Sequence, residues 1–319
     1  SAILALCWLS SAPAWAQSAT PSAPTPLHPA LAIAVHRGTI YIGPDRSSAI
    51  VGTVQPGQNV VIQRLAHGYA QVFAGQNGSG RSGWMLNQGL VLLSAPHAAE
   101  ILFGAAADLQ QRAEQYSGEQ AAAKNAARLY YRVYERFPQS FRAAEALYRA
   151  ADITWQLDMA DLPTTGNNAD YRLPSTRLLH EVIEKFPKTP WAARADYLHV
   201  REQMTCGDWA AKPKCLGKEI GRLRDYWKKY PDGPLAPEAA YGILYREAAG
   251  VHLYSQPGPH HDAGKAQDYE RQAFNAIADL QRRWPRSDWA ARAALIAYDL
   301  RQRIPVGAHR MEQPQMSPQ

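Results

Sequence analysis

Residues 131–148 read YRVYERFPQSFRAAEALY, and the pattern inside them occurs four times along the chain. A basic residue is followed by an aromatic, Pro, any residue and a small residue, with Ala three and six positions after the small one. The four copies are Arg136-Phe137-Pro138-Gln139-Ser140 with Ala143 and Ala146; Lys185-Phe186-Pro187-Lys188-Thr189 with Ala192 and Ala195; Lys229-Tyr230-Pro231-Asp232-Gly233 with Ala236 and Ala239; and Arg283-Trp284-Pro285-Arg286-Ser287 with Ala290 and Ala293. A basic residue in a last helical turn complements the negative end of the dipole. Pro stops the helix and forces the residue before it out of helical geometry. Ser140, Thr189 and Ser287 suit the N-cap of a following helix, and Gly233 is acceptable there. An Ala pair three apart lies on one face and lets a neighbouring helix come close.

Apolar residues seven and four positions before each aromatic extend the buried stripe: Tyr130 and Val133, Leu179 and Val182, Leu223 and Tyr226, Ile277 and Leu280. The pattern predicts stacked helix–turn–helix pairs over residues 98–303. The aromatics are 49, 44 and 54 residues apart, against about 34 for a plain tetratricopeptide repeat. The extra length is expected in Asp161–Tyr171, the Cys206–Cys215 segment and Tyr254–Asp268. The segment from Tyr131 to Tyr148 resembles the tetratricopeptide-type repeats of bacterial periplasmic and outer-membrane assembly proteins. That resemblance implies a helical solenoid that binds a protein partner. Tyr148, Trp155, Trp191, Tyr197 and Trp289 are read as packing residues.

Ahead of the repeats, residues 31–94 change to short β-rich runs: 39–42, 50–54, 60–64, 69–73, 83–86 and 90–93. Gly43-Pro44-Asp45, Pro56-Gly57, His67-Gly68 and Gly75–Gly78 punctuate them. Five or six short strands in so few residues predict a small closed barrel, which also protects strand edges. Gly43-Pro44-Asp45-Arg46-Ser47-Ser48-Ala49-Ile50-Val51-Gly52, Pro56-Gly57-Gln58-Asn59-Val60-Val61, Gly68-Tyr69-Ala70-Gln71-Val72 and Ser82-Gly83-Trp84-Met85 occur in the order seen in bacterial SH3 domains, and this stretch resembles that family. The resemblance implies a module that binds peptidoglycan or an envelope peptide. Two departures bear on ligand preference: Thr39-Ile40-Tyr41-Ile42 replaces the usual Asn-Val-Arg, and Tyr69 replaces the first Trp. Tyr41, Tyr69 and Trp84 are the candidate ligand-binding residues, as groove-lining aromatics with polar tips; the other reading places them in the core or at the rim. The fold class is therefore α+β, a small SH3-like barrel followed by a tetratricopeptide-like helical array.

Residues 1–16 read as a signal peptide, with an apolar stretch from Ser1 to Leu9 and an Ala14-Trp15-Ala16 cleavage site that leaves Gln17 first in the mature chain. The basic start of a signal is missing, which places Ser1 inside it. Cys7 follows Leu6, and a lipobox needs a small residue there, so cleavage at Ala16 fits better than lipidation. Residues 17–30 read as a flexible Pro/Ser/Ala/Thr linker and 304–319 as a disordered tail. Export to the periplasm or envelope makes Cys206 and Cys215, an even pair close in sequence, a local disulfide. No stable transmembrane segment is expected.

The net charge of +6 favours anionic surfaces. No Lys/Arg run interleaved with aromatics occurs, so no nucleic-acid partner is expected. Gly78-Ser79-Gly80-Arg81-Ser82-Gly83 fits a dinucleotide fingerprint but lies between two short strands, with no helix to receive a phosphate. H-E-x-x-H and G-x-S-x-G are absent. His252, His260, His261 and Asp262 fall in a Gly/Pro-rich stretch without ligand spacing, and Glu181 and Glu184 fall on a basic helix face. No catalytic residue, metal or cofactor is expected. The chain reads as an exported, non-enzymatic adaptor; the alternatives are a purely protein–protein scaffold or an accessory to a wall hydrolase.

Overall fold

Alternating apolar residues in the first third of the chain give strands, and the 3.6-residue period beyond it gives helices. The computed structural model describes residues 25–76, 79–115, 119–160, 176–204 and 206–305. The signal peptide, most of the linker, nearly all of the C-terminal tail and the 161–171 insertion lie outside the described residues. The chain divides into a sheet unit ending at Leu92 and a helical unit from Leu93 onward, to which Gln55–Gln58 are assigned.

The sheet unit contains β1 (Thr25–Ala34), β2 (Gly38–Tyr41), β3 (Ile50–Val54), β4 (Asn59–Ala66), β5 (Tyr69–Gln76), β6 (Ser79–Leu86) and β7 (Leu90–Leu92). Every pairing is antiparallel, in the order β3-β2-β6-β5-β4-β1-β7. Ala32, Ala34, Ile40, Val54, Val60, Ile62, Ala70, Val72 and Met85 gather on one face as a core. Register shifts between Pro26 and Ala30, Ile40 and Tyr41, and Ile62 and Arg64 bend the strands around it.

The sheet corrects the sequence reading twice. The expected barrel is not closed, because β3 and β7 stand at opposite ends of the order and no ladder joins them among the described residues. With five and three residues these two strands have little backbone to offer each other. In addition, β1 takes in Thr25–Ala30, which the sequence reading gave to the linker. Pro26 and Pro29 hide this strand, since Pro cannot donate to a ladder, and the register shift falls across Pro29. The β4–β5 connection is a two-residue turn, His67 (φ 51°) and Gly68 (φ 79°), with Ala66 paired to Tyr69. Two positive φ values match the twist of the flanking strands.

The helical unit contains α1 (Ala98–Gln115), α2 (Gln120–Arg136), α3 (Ala143–Ala160), α4 (Arg177–Lys185), α5 (Pro190–Glu202), α6 (Pro213–Lys229), α7 (Ala236–Ser255), α8 (Ala263–Arg283) and α9 (Asp288–Arg301). No helix among the described residues is long and apolar enough to cross a membrane. The four repeated aromatics are the C-caps of α2, α4, α6 and α8. Phe137, Phe186, Tyr230 and Trp284 share φ near −131° and donate their N–H to Val133, Val182, Tyr226 and Leu280. Each Ala pair is buried, as are the apolar pairs before the aromatics.

The capping expectation holds at two corners. Thr189 accepts from the Ala192 N–H at 3.2 Å and Ser287 from the Ala290 N–H at 3.1 Å. Ser140 instead accepts from Arg142 N–H, and α7 begins after Leu235 without a side-chain cap. The Tyr254–Asp268 insertion is largely helix: α7 and α8 take both its ends, so added turns supply the long third spacing.

Candidate functional site

On antiparallel strands, directly paired residues share a face. Ile50 pairs with Tyr41, Tyr41 with Trp84, Trp84 with Gln71 and Gln71 with Arg64. This row crosses five strands on the face opposite the core, since Ile40, Met85 and Val72, next to its members, are buried in the core, as is Ile62 on the other side of the register shift before Arg64. The row beside it runs Leu86–Tyr69–Ala66. Tyr41, Tyr69 and Trp84 therefore lie together on the outer face, half-buried. Gly83 makes the arrangement possible: a Cβ there would stand 2.4 Å from the Tyr41 carbonyl oxygen.

A cleft of about 390 Å³ opens beside Tyr41 and Leu86, with His36, Arg37, Thr39 and Arg46 among its lining. Asp45 is the only acidic residue between positions 25 and 92, and the turn after it occupies its oxygens. Oδ1 accepts from the N–H groups of Ser47 and Ser48 at 2.9 and 2.8 Å and from Ser47 Oγ at 2.6 Å, while Oδ2 accepts from Ser48 Oγ at 2.6 Å. The serine hydroxyls, Ser47 first, hold this carboxyl below its ordinary range. Arg37 and Arg46 have no ion pair among the described residues, so the cleft carries uncompensated positive charge.

The sequence reading named the three aromatics, which the sheet places on one face, and did not name Arg37 and Arg46 beside them. The signal available for them was four Arg and one Asp over residues 25–92. It also missed two buried carboxylates in the helical unit. Glu219, 2 % exposed, accepts from Arg246 Nε at 2.8 Å, Trp209 Nε1 at 3.3 Å and the Cys206 N–H at 3.4 Å. It thereby ties the loop closed by the Cys206–Cys215 disulfide to α6 and α7. Glu247 accepts from Arg224 at 2.7 Å, and burial raises its pKa while Arg224 opposes the rise. Both carboxylates are buried and each is paired with one arginine.

The aromatics of the helical unit form ring pairs between successive repeats: Tyr148 on Trp191 at 5.6 Å, Tyr197 on Tyr226 at 5.1 Å and Tyr241 on Trp289 at 5.1 Å. Trp155 donates to Glu202. Asp262 caps α8 by accepting from the Lys265 N–H at 3.0 Å. Among the described residues no group of three or more His, Cys, Asp and Glu is arranged to hold a metal ion.

Fold and site together define an α+β chain with an antiparallel sheet unit followed by helical repeats. No family model matches the chain, and no curated protein matches it. Among solved structures it is similar to the DHF58 filament, at 15 % identity over 65 % of this chain and 93 % of that one, with a TM-score of 0.21. It is also similar to the de novo designed helical repeat protein DHR64, at 17 % identity over 65 % of this chain and 94 % of that one, with a TM-score of 0.23.

Proposed function

We propose that this protein is an exported, non-enzymatic adaptor of the bacterial cell envelope. In this reading the sheet unit is an SH3-like module that docks on peptidoglycan or an envelope peptide, and the tetratricopeptide-like helices engage a protein partner. One observation carries the proposal: Tyr41, Tyr69 and Trp84 share the outer face of the sheet, beside a cleft whose Arg37 and Arg46 lack acidic partners. Aromatic faces suit the apolar parts of a sugar or an extended peptide, and free guanidinium groups suit its carboxylates. The Cys206–Cys215 disulfide fits an oxidising compartment.

The test is co-sedimentation of the full chain with purified sacculi. Binding by the native chain, lost on Trp84→Ala and on Tyr69→Ala with the helical content unchanged, supports the proposal. Absence of binding by the native chain at moderate salt overturns it.

A protein-only scaffold is the second reading. Phe141, 75 % exposed, borders a pocket of about 520 Å³ lined also by Arg136, Phe137 and Pro138. An exposed aromatic at a pocket rim suits an apolar side chain of a partner.

A further inference from the structure

Each repeat covers the one before it, and among the described residues no later element packs on the last repeat. The position two residues after the second Ala of each signature holds Tyr148, Tyr197, Tyr241 and Leu295. The first three pack against rings of the next repeat, and Tyr197 is 6 % exposed. Leu295 is 59 % exposed. Three residues further along the helix, Ala151, Val200 and Leu244 are buried, whereas Tyr298 is 56 % exposed. Ala291, Leu295 and Tyr298 thus form an apolar stripe on α9 that no described element covers, in the register that rings of the following repeat meet on α3, α5 and α7. Repeat arrays need polar faces at their ends. The opposite end has one: α1 turns Asp108, Gln111, Arg112 and Gln115 to solvent, with Ile101 the apolar exception.

The charges beside the stripe indicate what covers it. Arg292, whose guanidinium lies 4.9 Å from the Trp289 ring centroid, and Asp299 stand seven residues apart on one flank of α9, and neither has an ion pair among the described residues. Placed antiparallel across a two-fold axis at Leu295, two copies of α9 bring Arg292 opposite Asp299 of the partner subunit, and the reverse. The same placement sets Tyr298 over Ala291 of the partner subunit and Leu295 on itself. A parallel placement would set Arg against Arg and Asp against Asp. A head-to-tail filament lacks this match, because the other end of the array is polar.

We propose that the α9 face is the interface of an isologous homodimer, with Leu295 at its two-fold axis. Sedimentation of the full chain is expected to show a dimer at about 100 µM that dissociates on dilution. Leu295→Glu is expected to raise the dissociation constant at least about tenfold, with helicity unchanged. Arg292→Asp alone is expected to weaken the dimer, and Asp299→Arg added to it in the same chain to restore it. Hydrogen exchange gives a readout without substitution: α9 amides become more protected as the concentration rises, and α1 amides do not. A chain that stays monomeric throughout, including one that instead captures an added amphipathic helix, overturns the proposal. So does a dimer indifferent to Leu295→Glu, or a double charge exchange that fails to restore association.

Discussion

In the helical unit Arg283 lies over the rings of Trp227 and Trp284 and pairs with Asp232, and Arg142 lies over Phe103 and pairs with Glu145. In the sheet unit Arg37, Arg46, Arg64 and Arg81 have no ion pair among the described residues, and the single Asp is taken up by its own turn. Every ion pair among the described residues lies in the helical unit. The helical unit thus uses aromatic side chains to hold repeat on repeat, and its ion pairs run both within helices and between them. The sheet unit keeps its core aliphatic and leaves Tyr41, Tyr69, Trp84 and the arginines outside it. A side chain already committed to internal packing is costly to redirect to a ligand, and the proposed function assigns recognition of an anionic ligand to the sheet unit on that ground.

The contrast can be broken most severely from the helical side. Glu219→Ala leaves Arg246 buried without its carboxylate, and breaking a buried pair costs about 3–5 kcal/mol; the thermal transition of the helices is expected to fall while the proposed sacculus binding is unchanged. From the other side, Gly83→Val drives a side chain into the Tyr41 carbonyl, at or above the upper end of the about 1–3 kcal/mol typical of overpacking. Loss of the sheet with far-UV helicity intact is the expected result.

Reducing the Cys206–Cys215 disulfide, or replacing both cysteines by Ser, is expected to cost the helical unit about 2–3 kcal/mol by freeing the unfolded chain. Denaturant midpoints measured with and without reductant check this. The smallest expected effect concerns pH. Burial raises the Glu247 carboxyl, so the folded state holds that proton more tightly than the unfolded chain. The resulting stabilisation is fully present below the unfolded pKa and disappears as pH rises through the folded one. Glu247→Gln is expected to flatten that part of the stability–pH curve.

How much of this was legible depended on whether a residue's role is local. The corners were readable because Pro, a capping aromatic and an Ala pair act within one turn of each other. The outer-face aromatics were readable as candidates, but their face was not, since two register shifts alter the strand alternation near Tyr41 and Arg64. β1 was hidden by its prolines. Glu219 and Glu247 looked like any solvent-facing carboxylate on a helix; their burial depends on Arg246 and Arg224, which are distant in sequence. The barrel was expected to close because short strands need protected edges, a need that does not itself specify a pairing.

The most direct test compares the two units within one intact chain. Binding of soluble muropeptides is measured for the native protein, for Arg37→Ser with Arg46→Ser, and for Phe141→Ala, at low and high salt. The double Arg variant is expected to bind at least about tenfold more weakly and with a smaller salt dependence, and Phe141→Ala is expected to change nothing. Native-like binding by the double Arg variant, with loss on Phe141→Ala, would contradict it and assign recognition to the helices.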